Sequence, residues 1–166
     1  TFERGGEAKN LQGELLQEEY FMETVVKEPE IQTYLEQNFC DDSLCPDNKS
    51  WSSWIIIEGE HNWHINELEM LQSILRETIE ALNDEGLDGY SLLEGYRFRK
   101  INDEFVSTGG GYRILANVDH AKSEITLSRS AFLRQQGFVI YHELGHVVDY
   151  RLDRQLATRF LEHSYE

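Results

Sequence analysis

Tyr141-His142-Glu143-Leu144-Gly145-His146-Val147-Val148-Asp149-Tyr150 carries His-Glu-x-x-His within a largely apolar run. On a helix, His142 and His146 leave the same face about one turn apart. Two imidazole nitrogens at that spacing suit one Zn²⁺, and Glu143 between them can take a proton from a zinc-bound water. Val139, Ile140, Leu144, Val147 and Val148 supply the apolar surface that buries the rest of the helix. Gly145 costs such a helix roughly 1 kcal/mol relative to Ala. The expectation is that another backbone passes close to it.

Upstream of this helix the pattern alternates between strands and helices. Trp54-Ile55-Ile56-Ile57 is short and β-branched, as expected of a strand buried on both faces. Asn66 and Glu69 have capping-box spacing, and Leu68, Leu71, Leu75, Ile79 and Leu82 keep helical period up to a stop at Gly86. Tyr96–Ile101 alternates as a strand. Tyr112–Val118 and Glu124–Ser128 read as two more strands around a turn at Asp119-His120-Ala121-Lys122, with Thr108-Gly109-Gly110-Gly111 as a mobile loop before them. Ser130 is a candidate cap near the His-Glu-x-x-His helix, with Phe132, Leu133 and Phe138 packing on the sheet. A further helix is expected at about Asp153 to His163. The fold class is therefore α+β.

Residues 1–50 read as a helical segment ahead of a domain at 51–166. Leu11, Leu15, Met22, Val25 and Val26 fall near one stripe, and Pro29 sits at the first turn of a second helix with Ile31, Tyr34 and Leu35. The segment is either a packing layer or a pro- or recognition segment. Cys40 and Cys45 can close a small disulfide loop, which together with the sequon Asn48-Lys49-Ser50 favours a secreted protein. The chain starts at Thr1 without a basic-plus-apolar stretch, so any signal peptide is expected to have been removed or never present.

The chain has 166 residues and a formal net charge of -16, from 31 acidic and 15 basic side chains. That balance argues against nucleic acid, which needs clustered Lys and Arg. It fits either a self-repelling surface or the steering of a basic substrate. No apolar run approaches the roughly 20 residues needed to span a bilayer.

The order strand, helix, three strands, His-Glu-x-x-His helix resembles the upper half of the zincin metallopeptidase fold, over roughly residues 54 to 166. More narrowly, Gly137-Phe138-Val139-Ile140-Tyr141-His142-Glu143-Leu144-Gly145-His146-Val147-Val148-Asp149-Tyr150 is similar to the active-site stretch of the anthrax lethal-factor-like and Pro-Pro endopeptidase group. The resemblance implies a secreted, zinc-dependent endopeptidase acting on peptide or protein substrates. His142 and His146 would be zinc ligands, and Glu143 the general base that then protonates the leaving amine. It also implies a small twisted sheet whose edge strand runs antiparallel to the substrate, here the Tyr112, Ile114, Ala116 stretch.

The third ligand departs from the known patterns. Metzincins have Gly and His or Asp where this chain has Asp149 and Leu152. Gluzincins place a Glu on a following helix after 19 intervening residues, which here is Glu166. Either Glu166 serves or the ligand lies further downstream, with Asp153, Glu162 and His163 as lesser substitutes. Tyr165 is a candidate oxyanion donor and Asp149 a hydrogen-bonding support for a ligand. His61 and His64 read as surface residues, and Cys40 or Asp41-Asp42 as a latency switch has no spacing to support it. The alternatives to an enzyme are a non-catalytic zinc-binding interaction module and a regulator that uses His-Glu-x-x-His to respond to a partner.

Overall fold

The computed structural model describes residues 28–57, 63–132 and 137–164, and the side chains from Glu30 to Gln155 within them. Pro29 does stand in the first turn of a helix, α1 (Glu28–Tyr34), which widens into a π-turn over Leu35–Phe39. Ile31, Leu35 and Phe39 recur every four residues and are all buried. Cys40 and Cys45 are disulfide-bonded, with Cα atoms 5.3 Å apart. The loop they close is tied down twice. Trp54 Nε1–H donates to the Leu44 carbonyl at 2.6 Å, and the Asp41 carboxylate pairs with Arg76.

The strand expected at Trp54–Ile57 is shorter, β1 (Ile55–Ile56). The long helix α2 (Ile65–Asp84) starts earlier than its expected capping box. His64 N–H donates to Glu67 Oε1 at 2.9 Å, so the box lies at His64 and Glu67 rather than at Asn66 and Glu69. The reason is tertiary: the Glu67 carboxylate is fixed by Lys100 Nζ at 2.9 Å, and both side chains are about as buried as a core leucine. His64, expected on the surface, is buried as a consequence. His61 lies outside the described residues. At the other end the expectation holds. Gly86 adopts φ +84°, Leu87 N–H reaches the Leu82 carbonyl, and Gly86 N–H reaches that of Asn83, a Schellman stop.

A one-turn helix, α3 (Gly89–Leu93), leads into β2 (Arg97–Lys100). Then come β3 (Val106–Ser107), β4 (Arg113–Ile114), β5 (Ala116–Asp119), β6 (Glu124–Leu127) and the second long helix, α4 (Phe138–Ser164). The main sheet is mixed, in the order β1-β2-β6-β5. β1, β2 and β6 are parallel, and β5 lies antiparallel at the edge with Ala116 opposite Leu127 and Val118 opposite Ile125. Asp119–Lys122 forms the β5–β6 turn as read from sequence.

Two expectations for this region change. Tyr112–Val118 is not one strand: it divides at Leu115, whose carbonyl accepts both the Ser128 N–H at 3.0 Å and the Ser128 hydroxyl at 2.7 Å. The glycine run is not a loose loop but the turn of the small β3–β4 hairpin, closed by Thr108 N–H to the Tyr112 carbonyl at 2.9 Å. One core joins Leu35 and Phe39, Leu68, Leu71 and Leu75 of α2, Phe98, Ile125 and Leu127 of the sheet, and Ile140, Leu144 and Val147 of α4. Residues 31–44 thus share a core with the main sheet, and the stripe from Leu11 to Val26 lies outside the described residues. The described chain is α+β with a small mixed sheet, and no described helix is long and apolar enough to cross a membrane.

Candidate active site

Gly137 opens α4 with φ +89°, a conformation that favours glycine, and a Cβ on it would meet the movable end of the Ile74 side chain, Cδ1, at 2.5 Å. Ser130 does not cap the helix; it is buried in a separate one-turn 3₁₀ segment at Arg129–Ala131. Phe132 packs edge-on to Trp63, with ring centroids 6.1 Å apart. Phe138, expected on the sheet, is largely exposed at the helix start, and Leu133 lies outside the described residues. Tyr141 fastens α4 to α2 by donating its hydroxyl to Glu77. Burial and the neighbouring Glu77 charge push that phenol up to about 12.

From this anchored start the helix presents the expected face. His142 and His146 are both exposed, with Nε2 atoms 3.1 Å apart and rings nearly perpendicular at 87°. Two nitrogens each at about 2.05 Å from a tetrahedral metal would be separated by about 3.3 Å. The pair therefore already stands close to the separation that two ligands of one zinc ion require. Among the described residues, no group of three or more His, Cys, Asp or Glu side chains is arranged to hold a metal.

Glu143 is turned into the protein beside them and is 8 % exposed. Burial raises its pKa, while the two imidazoles, when charged, pull the other way. No described residue donates a hydrogen bond to its carboxylate. Val139, Glu143 and His146, at i, i+4 and i+7, form one wall of a cleft of about 470 Å³. Residues Ile114–Val118 and His120 form the facing wall. The edge strand thus runs past the carboxylate with only one side paired, to β6, among the described residues.

Of the three expected substrate-binding residues, Ile114 and Ala116 line this cleft. Tyr112 is 75 % exposed beside the glycine turn and does not. Asp149 supports neither histidine. It lines the opposite groove, between α2 and α4, with Glu77, Glu85 and Gly145. Gly145 has no close neighbour either: a Cβ there meets nothing within 4 Å, so backbone approach does not explain it.

The helix expected to begin near Asp153 is not separate, because α4 runs unbroken to Ser164. At ~1.5 Å per residue this carries the chain about 27 Å along the axis from His146, with no turn of the kind a gluzincin uses to bring its third ligand back. Glu166 and Tyr165, and the side chains of Glu162 and His163, lie outside the described residues; Asp153 is exposed. Cys40 and Asp41 are engaged by Cys45 and Arg76 and so are not poised as a switch.

His120, expected only as part of its turn, also lines the cleft. Its ring stacks on Tyr150 at 4.1 Å, and its Nδ1 lies 2.7 Å from the Tyr96 hydroxyl. The available signal was Tyr150 itself, which continues the His142, His146 stripe by one further turn. Comparisons of the chain with protein-family models, curated proteins and solved structures return no match.

Proposed function

We infer that this protein is a zinc-dependent endopeptidase of the zincin type, cutting peptide bonds of an extended peptide or protein segment held in the Glu143 cleft. The observation that carries this reading is the juxtaposition of the His142–His146 pair, the Glu143 carboxylate open to the cleft and the half-paired edge strand β5. An isolated His-Glu-x-x-His is only a pattern; one facing an open strand edge has a place for a substrate backbone.

His142 and His146 would hold the metal through Nε2. Zinc, when bound, supplies a Lewis acid that polarises the scissile carbonyl and acidifies water. The free edge of β5 binds the substrate main chain by strand addition, which aligns the scissile bond along the cleft. Glu143 accepts the proton of the attacking water and returns it to the amine as the C–N bond breaks and the new C–O bond is complete. Its partial burial favours that exchange, because a carboxylate of raised pKa holds a proton better near neutral pH. Glu166 is the candidate third donor from its sequence spacing alone, and it lies outside the described residues.

The second reading, a binding module that holds zinc without cutting, draws on the same open edge of β5, which would bind an extended peptide whether or not it is cleaved. The test is cleavage of a mixed peptide library with zinc supplied, read by mass spectrometry, for wild type and Glu143→Ala. Cleavage by wild type alone supports the peptidase. Zinc uptake by both proteins with cleavage by neither supports the module. Glu166→Ala measured for bound zinc decides the third donor: full zinc content in that variant removes Glu166 from the site.

A further inference from the structure

On the reverse face of α4 from the Glu143 cleft, α2 and α4 enclose a groove of about 600 Å³. Glu77 meets Tyr141 and Ile74 meets Gly137, so the two helices run side by side in the same direction. One turn beyond the Glu77–Tyr141 contact stand Ala81 and Gly145, and one turn further Glu85 and Asp149. The floor is apolar, made of Ala81, Leu82, Leu144, Gly145 and Val148. At ~1.5 Å per residue it extends about 12 Å from Glu77 to Glu85, two turns of helix.

Gly145 sets this groove apart. Glycine is costly in a helix interior, and nothing in the chain calls for it here: the residue is exposed, and a Cβ on it meets no atom within 4 Å. With Ala81 beside it on α2, the middle of the groove is lined by a hydrogen and a methyl group. A helix laid along it can therefore bring its own backbone close to α4. The described lining is helical throughout and offers no sheet edge, so an occupant packs by side chains, in the helix-in-groove mode.

Charge selects the occupant. Every charged side chain in the described lining is a carboxylate: Glu77, Glu85 and Asp149. Glu77 accepts from Tyr141, whereas no described residue donates to the carboxylates of Glu85 and Asp149. Arg76 and Arg151, on the same two helices, are turned to Asp41 and to the Ser91 carbonyl. A second copy of this chain, at a net charge of -16, is repelled from such a surface. The chain's own residues 1–27 match it poorly too, with six acidic against three basic side chains. Lys and Arg side chains on an amphipathic helix complement both the rim and the floor.

We propose that the α2–α4 groove docks a basic amphipathic helix of another protein. Its apolar face lies over Ala81 and Gly145, and its Lys or Arg side chains reach Glu85 and Asp149. The surface faces away from the Glu143 cleft, and the proposal does not depend on the peptidase reading.

Fluorescence anisotropy on the full chain tests it. The probe is a labelled peptide about four turns long, with Leu on one helical face and Lys on the other. A scrambled peptide of the same composition is its control. Wild type is expected to bind the amphipathic peptide saturably, and more tightly than the scrambled one. Gly145→Gln fills the floor without changing charge and should weaken binding by about tenfold or more, with an unfolding midpoint no lower than that of wild type. Glu85→Gln with Asp149→Asn should weaken it and flatten its salt dependence. Glu80→Gln with Asp84→Asn removes the same charge outside the groove and should do neither. No saturable binding overturns the proposal, as does equal binding of the scrambled peptide or unchanged binding by Gly145→Gln. Equal losses in the two charge pairs reduce the effect to bulk charge and overturn it as well. A lowered unfolding midpoint for Gly145→Gln identifies the occupant as a segment of this chain and overturns the outside partner.

Discussion

The two long helices each bury a glutamate, and they treat it in opposite ways. Glu67 on α2 is closed in: Lys100 Nζ lies 2.9 Å away, the His64 N–H fills a further lone pair at 2.9 Å, and only 1 % of the residue is exposed. Glu143 on α4 is nearly as deep, yet no described residue hydrogen-bonds it and its carboxylate opens onto a cleft. The helices differ in the same sense. α2 has a capping box at one end and a Schellman stop at the other. α4 carries a mid-helix glycine with no packing reason and leaves Phe138, Tyr141 and Tyr150 exposed. A buried polar group with all its partners present is part of the architecture. One with no hydrogen-bond partner among the described residues and open to a cleft marks a surface where an outside molecule is expected.

That contrast is open to attack from both sides. The largest effect belongs to the closed pair. Lys100→Met should cost about 3–5 kcal/mol, because it strands a buried carboxylate. Adding Glu67→Met to it should recover most of that loss, leaving about 1 kcal/mol for the lost bond to the His64 N–H. Urea unfolding of the two variants measures both, and a double variant no better than the single one would mean the pair is not a closed unit.

On α4 the signs should reverse. Gly145→Ala is expected to stabilise by about 0.5–1 kcal/mol, since a Cβ there meets no atom and the residue is helical. A loss of stability in the same unfolding experiment would show that Gly145 is needed by the fold after all.

Smaller still, Glu143→Gln should raise the unfolding midpoint of the chelator-treated protein near pH 7. Its folded-state pKa is raised by burial. Stability from a raised carboxylate is fully present below the unfolded pKa and is lost as pH rises through the folded one. The charged side chain is therefore a cost at neutral pH that Gln removes. The gain should fade on acidification towards pH 4, and a gain that persists unchanged at low pH would remove burial of charge as its cause.

The smallest effect is at Asp41, far from the contrast and useful as its control. Burial alone would raise this carboxyl, but the Ser43 hydroxyl, the Leu44 N–H and Arg76 outweigh it and hold its pKa below the ordinary carboxylate value. Asp41→Asn should cost a few tenths of a kcal/mol, as for other half-exposed pairs. The difference from wild type should be full at neutral pH. It should vanish as pH falls below the ordinary carboxylate value through the folded one, because a lowered pKa contributes stability only while the group is ionised. Thermal midpoints of both proteins across pH 2–7 check this.

Much of the molecule was legible because the signals were local. The Gly86 stop, the Asp119–Lys122 turn, the alternation in β2 and the shared face of His142 and His146 each follow from residues within a turn or two of one another. The misread positions depend on partners distant in sequence. The α2 cap moved to His64 because Lys100, 33 residues beyond Glu67, fixes the glutamate that forms it. The Tyr112–Val118 run broke at Leu115 because Ser128 occupies that carbonyl with two hydrogen bonds. Asp149 faces the wrong groove to support a zinc ligand, which its spacing alone could not reveal.

By itself, then, the sequence determined the α+β element order, the histidine pair and the glutamate beside it, since helical and strand periodicities are properties of a few consecutive residues. Only the tertiary structure decided that β5 lies open beside Glu143, that Lys100 closes over Glu67, and that Tyr96 and Tyr150 clamp His120 at the cleft. Those depend on hydrogen bonds and ring contacts between segments that the chain brings together only by folding.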